Sequence, residues 1–344
     1  MHGRRKVPTT AEIDQLRKEK EAHKIKDYCA LNELILQKKK DGVLDKESFQ
    51  LTTKMARTNP DMYTAWNLRR DILKRDFAQL SKEEIQEICV NELSLLEEVI
   101  RTTPKSYWVW NHRRWVLHTM PEPNWKRELH LVGKMLDLDS RNFHGWSYRR
   151  SVVAELRKIS PNEEIDATEF AYTTSKINQS FSNGSAWHYR SKLLPSVLLQ
   201  TPANQRSALL ENEYELVKAA FYTDPEDQSA WIYHRWLIGK SWNPGTTSEN
   251  SQHTHGEKIS TSNVIESIGL DRVKILEREI EAVRELVEIE PECKWPLQTL
   301  SYLQNELRIT TASDMAEEIR EHLTTLQVID QLRKGRYQDL QDAL

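Results

Sequence analysis

Lys105, Tyr107, Arg141 and His144 are the side chains whose types and spacing point to chemistry. Lys105 stands five residues ahead of Trp110, and Arg141 stands five ahead of Trp146. Two cations therefore share one position in two similar stretches of chain. If those stretches stack about 10 Å apart, as packed helices do, the cations lie side by side at one rim, joined by the Tyr107 phenol and the His144 imidazole. Such a group at adjacent helix N-termini makes an anion site, and a diphosphate has the right size for it. Two ordinary surface cations are the competing reading. No GxGxxG, P-loop, HExxH or GxSxG string occurs. Carboxylates are abundant but fall in no motif. The chain reads as a scaffold with one functional edge.

The elements that must position these residues come from an internal repeat. Trp66, Trp110, Trp146, Trp187 and Trp231 are spaced by 44, 36, 41 and 44 residues, in the strings TAWNLRRDIL, WVWNHRRWVL, HGWSYRRSVV, SAWHYRSKLL and SAWIYHRWLI. A degenerate sixth copy, CKWPLQTLSYL, is centred on Trp295 after a spacing of 64 that includes an insert. In each copy a helix of 3.6-residue apolar period comes first; in the second it carries Leu93, Leu96, Val99 and Ile100. A stop such as Asn59-Pro60, Thr103-Pro104 or Asp224-Pro225 ends it, because proline lacks the N–H a helix interior needs. Six residues after the proline comes the tryptophan, inside a second helix.

A basic residue follows the tryptophan at the third or fourth position: Arg69 and Arg70, Arg113 and Arg114, Arg149 and Arg150, Arg190, Arg235. These positions share a face with it. The tryptophan is expected to wedge between neighbouring pairs, and the arginines to bond carbonyls or carboxylates of the adjacent helix. A helix pair this small cannot bury its apolar face alone, so the pairs must stack. The expected fold is all-α, a right-handed alpha-alpha superhelix in one solenoid domain over 1–344.

Composition bounds the function. The 344 residues carry only 10 Gly and 12 Pro, a count that suits long helices better than a sandwich or barrel. A net charge of −3 argues against a nucleic-acid binder. No apolar run approaches the roughly 18 residues of a membrane span, and MHGRRKVPTT lacks the apolar stretch of a secretory signal. Cys29, Cys89 and Cys293 are sparse and unpaired in sequence, as expected of buried free thiols in a reducing cytoplasm. Residues 11–40 read as a helix with a solvated charged face. Residues 241–263 read as a polar loop, where His253 and His255 are better taken as ordinary loop histidines than as metal ligands. From about Thr311 to Leu344 the pattern is amphipathic helix again.

These repeats resemble, over nearly the whole chain, those of protein prenyltransferase alpha subunits. The resemblance implies a helical crescent wrapped around a beta subunit that holds a catalytic zinc and an isoprenoid tunnel. Pro104-Lys105-Ser106-Tyr107-Trp108-Val109-Trp110 matches the family's PKxYxxW string, so Lys105 and Tyr107 inherit contact with the isoprenoid diphosphate. Phe143-His144 matches its aromatic–His pair, with phenylalanine where farnesyltransferase alpha subunits have tyrosine.

Within the family the chain resembles the Rab geranylgeranyltransferase alpha subunits, in a short fungal-type form. The opening MHGRRKV and the strings SFSNGSAWHYRSKLLP, PEDQSAWIYHRWLIG and EPECKWPLQTL carry that likeness. Trp108 also stands where farnesyltransferase-type subunits have a glutamine for the CaaX carboxylate. The resemblance implies geranylgeranyl diphosphate as donor, and Rab GTPases presented by an escort protein as acceptors. His2 could reach the beta-subunit zinc from an N-terminal arm, or belong to a disordered end. Two alternatives remain: the alpha subunit shared by farnesyltransferase and type I geranylgeranyltransferase, and a non-catalytic helical-repeat adaptor.

Overall fold

The computed structural model describes residues 10–161, 164–239 and 271–344. His2, His253, His255 and the expected loop at 241–263 lie outside them. Every long element among the described residues is an α-helix, and none is long and apolar enough to cross a membrane. The chain divides into two compact units, Met1–Ile159 and Ser160–Leu344.

The first unit holds α1 (Ala11–Lys40), then the pairs α2 (Lys46–Thr58) with α3 (Tyr63–Phe77), α4 (Lys82–Thr102) with α5 (Tyr107–Thr119), and α6 (Trp125–Leu138) with α7 (Phe143–Ile159). Side chains in the turns set the starts. Asp45 caps α2 by accepting from the Ser48 N–H, and Ser81 and Glu84 form a reciprocal capping box on α4. Gly42, at φ +67°, takes the left-handed turn after α1 that a side chain would resist. The second helices of successive pairs pack on one another, α3 on α5 and α5 on α7. Leu31, Ile35, Met55, Ala65, Leu68 and Ile72 form a core that fixes α1 to the first pair.

The second unit pairs α8 (Ile165–Gln179) with α9 (Gly184–Gln200), and α10 (Ala203–Thr223) with α11 (Gln228–Ile238). It continues with α12 (Arg272–Ile289) and α13 (Lys294–Thr311), then α14 (Ala316–Ile329) and α15 (Lys334–Asp342). Leu297, Ile319, Leu323, Leu326 and Tyr337 make its last core cluster.

One device recurs in all five tryptophan copies. Trp66, Trp110, Trp146, Trp187 and Trp231 are buried, and each indole N–H donates at 2.7–2.9 Å to the carbonyl six residues back, on Pro60, Pro104, Ser140, Phe181 and Pro225. The ring thus fills the core while its polar edge closes its own turn. The last copy differs from the register expected of it. Each tryptophan is the fourth residue of its helix, and in α13 that place belongs to the buried Leu297, with Trp295 half-buried two residues earlier. Leu297 also stands six residues after Pro291, the spacing of the other copies.

Candidate functional site

The turn before α5 carries Lys105, and the first turn of α5 carries Tyr107. Its position is tied down on both sides. The Ser106 hydroxyl donates to Asp61 Oδ1 at 2.6 Å and reaches the Pro60 carbonyl at 3.3 Å. Asn142 Nδ2, in the turn before α7, donates to the Pro104 carbonyl at 3.1 Å. Asn142 Oδ1 in turn accepts the backbone N–H groups of His144 and Gly145. One amide therefore links the residue before Lys105 to the start of the helix that carries His144. At Gly145 an added Cβ would come within 3.1 Å of Leu136 Cδ2, so α7 begins tight against α6.

This frame brings Tyr107 and His144 into contact. Their rings meet edge-on with centroids 4.2 Å apart, and Phe143 lies 5.9 Å from Tyr107 and 4.0 Å from His144. Tyr107 and Phe143 are exposed while His144 is buried. Burial lowers the His144 pKa below its ordinary value, and the Lys105 charge adds to that against the pull of Asp61. The imidazole is therefore neutral near pH 7 and has one ring N–H to donate.

Lys105 projects into water, with 72% of its side chain exposed, and its Nζ lies 3.6 Å from Asp139 Oδ2. Arg141 is exposed too, and its backbone N–H donates to Asp139 Oδ1 at 3.2 Å. A carboxylate thus stands at the rim where sequence spacing had put two cations and no anion. Trp108, half-buried, packs against exposed Tyr63 with ring centroids 5.5 Å apart.

The expectation that carboxylates lack a pattern is corrected by the repeat arginines. Arg69 Nε donates to Glu92 at 2.8 Å and its Nη2 at 2.5 Å; Arg113 makes the same fork on Glu128 at 2.8 and 2.7 Å; Arg190 makes it on Glu213 at 2.7 and 2.5 Å. Each arginine also reaches a carbonyl of its own pair's first helix, on Phe49, Leu93 or Phe170. In the fifth copy His234 takes the arginine's place and bonds Glu279 at 3.0 Å, while Arg235 stacks over Tyr302.

The glutamates have a second partner two residues after the next tryptophan. His112 bonds Glu92, Tyr148 bonds Glu128, and Tyr233 bonds Glu213. The signal was present in the sequence: Glu92, Glu128, Glu169, Glu213 and Glu279 each stand eighteen residues ahead of Trp110, Trp146, Trp187, Trp231 and Leu297, and all five are buried. They are structural, with Glu92, Glu128 and Glu213 bonded to the repeat arginines inside the stack. Among the described residues no group of three or more His, Cys, Asp or Glu is placed to hold a metal ion.

The sequence matches the family described as "Protein prenyltransferase alpha subunit repeat" at residues 45–76, 89–120, 125–156, 166–197 and 210–241. It is similar to the geranylgeranyl transferase type-2 subunit alpha of Schizosaccharomyces pombe, 38% identical over 100% of this chain and 98% of that one. It is 32% identical to the Candida albicans subunit of that name, over 98% and 96% of the two chains. The Mus musculus subunit is 44% identical over 70% of this chain, and the match spans 42% of that relative's length. Among solved structures, a chain of Candida albicans protein geranylgeranyltransferase-I complexed with GGPP shares the fold, with a TM-score of 0.63 and 19% identity over 92% of this chain and 90% of that one.

Proposed function

The chain belongs to the geranylgeranyl transferase type-2 alpha-subunit family, and on that premise we propose that it is the alpha subunit of a heterodimeric Rab geranylgeranyltransferase acting in the cytoplasm. The observation that carries this reading is the likeness to the Schizosaccharomyces pombe subunit over the full length of both chains. The enzyme transfers geranylgeranyl from geranylgeranyl diphosphate to C-terminal cysteines of Rab GTPases, which an escort protein presents. Zinc, held by the beta subunit, supplies the cysteine as a thiolate.

The role of this chain is at the leaving group. As the C–O bond to the diphosphate breaks and sulfur bonds the freed carbon, negative charge gathers on the diphosphate oxygens. Lys105 meets that charge as an ion-pair partner and Tyr107 as a hydroxyl donor. Exchange of Asp139 for diphosphate costs Lys105 little, because an exposed pair contributes on the order of 0–1 kcal/mol. His144, neutral and held edge-on to Tyr107, contributes a ring N–H without adding a second fixed cation. Arg141 stands at the same rim and adds positive potential for the incoming diphosphate.

The Trp108 indole, backed by Tyr63, offers no amide to a free C-terminal carboxylate. That supports Rab over CaaX substrates. The test is co-expression with a type-2 beta subunit and with the beta subunits of the CaaX enzymes. Prenylation of a Rab with its escort, and none of a CaaX peptide, is the expected result. CaaX-peptide transfer would assign the chain to the shared alpha subunit instead, and failure to pair with any beta subunit would leave the adaptor.

A further inference from the structure

The two basic positions of the repeat have opposite fates. Arg69 and Arg113, three residues after their tryptophans, are buried and neutralised by forked glutamates. Arg70 and Arg114, four residues after, have no carboxylate within ion-pair distance among the described residues. Arg70 Nε donates to His112 Nδ1 at 3.1 Å and its Nη2 to Asn111 Oδ1 at 2.6 Å, and both acceptors are neutral. His112 cannot be protonated on Nδ1 while it accepts that bond, since its Nε2 already points at Glu92. Arg114 Nε is buried with no hydrogen-bond partner. Asp71, the acid next to Arg70 in α3, is taken by Lys39.

Both arginines are half-buried. A cation shut off from water on one side and given no anion is an uncompensated cost to the chain. Burial alone pulls the Arg70 pKa below its ordinary value. Beside them lies an aromatic shelf: the Arg70 Cζ is 5.7 Å from the half-buried Trp115 ring, which stacks on Phe77 at 6.5 Å. Arginine beside aromatic rings, stripped of part of its water, suits the dehydrated centre of a lasting interface better than a wet, transient rim.

We infer that Arg70 and Arg114 form a two-point receptor for a pair of carboxylates carried by the beta subunit, one for each of two successive repeats. The inference rests on the heterodimer reading above and specifies the chemistry of its contact. The required partner surface has two acidic side chains roughly 10 Å apart, the spacing of packed helices, set among apolar groups that cover Trp115.

The test compares the wild-type chain with Arg70→Gln, Arg114→Gln and the double variant, each bound to purified beta subunit at several salt concentrations. Glutamine removes the charge while keeping an uncharged amide donor on a shorter stem, and a melting curve of each chain alone reports the fold. The expected result is a weakening of heterodimer affinity by ~30-fold or more for each single variant, with a shallower salt dependence. Melting points of the isolated variants stay at or above wild type, and transfer by the assembled heterodimer at saturating subunit concentration is unchanged. A double variant that binds the beta subunit as tightly as wild type, or that loses only escort binding, overturns the inference and leaves the heterodimer standing. A wild-type chain that forms no complex overturns the heterodimer reading, and this inference with it.

Discussion

Lys105 lies mostly in water, tethered by an exposed pair with Asp139 at 3.6 Å. Its removal should therefore leave folding and assembly alone. Lys105→Ala is expected to slow prenyl transfer by an amount equivalent to about 2–4 kcal/mol of transition-state stabilisation. Single-turnover rates measured beside gel filtration of the heterodimer check this; an equal loss of assembly would show that Lys105 is an interface residue instead. The sequence made Lys105, Tyr107 and His144 visible because each occupies a turn or first-turn position where the copies differ. It did not reveal Asp139, Ser106 or Asn142 as their neighbours. Those contacts cross from one repeat to the next, over 34, 45 and 38 residues, and nothing local marks them.

At the level of elements, the buried Arg69–Glu92 fork joins the pair α2/α3 to α4. Arg69→Met strands Glu92 in the interior and should cost about 3–5 kcal/mol of stability. Adding Glu92→Leu should recover most of that loss. Urea unfolding of the single and double variants measures the coupling, and strictly additive losses would refute it.

The same cluster sets an acid limit. Burial drives the His112 pKa from 6.5 to about 4, against the opposing pull of Glu92. Burial also raises Glu92, but the bonds from His112 and Arg69 outweigh it and hold the carboxyl at about 2. Above pH 6.5 both folded and unfolded chains keep His112 neutral, so it contributes no pH dependence. As pH falls from 6.5 towards 4 the unfolded chain takes the proton first, and stability drops. Below 4.5 the depressed Glu92 extends that drop in the same direction. Unfolding at pH 7.5 and pH 5 should show the loss in wild type and a smaller one in His112→Gln; equal losses in the two proteins would rule His112 out as the source.

For the molecule as a whole, an alpha chain by itself carries groups that ask for cover. Tyr63, Tyr107 and Phe143 stand exposed three residues ahead of their tryptophans, and Arg70 and Arg114 lack anions. A partner that binds the folded chain alone raises its stability by mass action, about 2.7 kcal/mol at a free concentration one hundred times Kd. The melting temperature of the chain should thus climb as type-2 beta subunit is titrated in. A midpoint that ignores the partner would contradict the heterodimer.

The sequence by itself determined the helices, their stops and the register of five tryptophans, because each is a local matter; in the sixth copy the structure gave the place expected of Trp295 to Leu297. A proline ends one helix, and an indole six residues on bonds the turn it follows. Even the glutamate eighteen residues ahead of each core residue was legible in principle, since it belongs to the same helix pair as that residue. Only the tertiary structure decided what lies between pairs. Arg69, Arg113 and His234 find their glutamates 23, 15 and 45 residues away, so linker length hides the partnership. The same stacking gave Arg113 a counterion and left Arg114, one residue later and a hundred degrees around the helix, without one. Adjacent arginines of like type were thereby assigned to different work: one binds the repeats to each other, and its neighbour is left half-buried with its charge unmet.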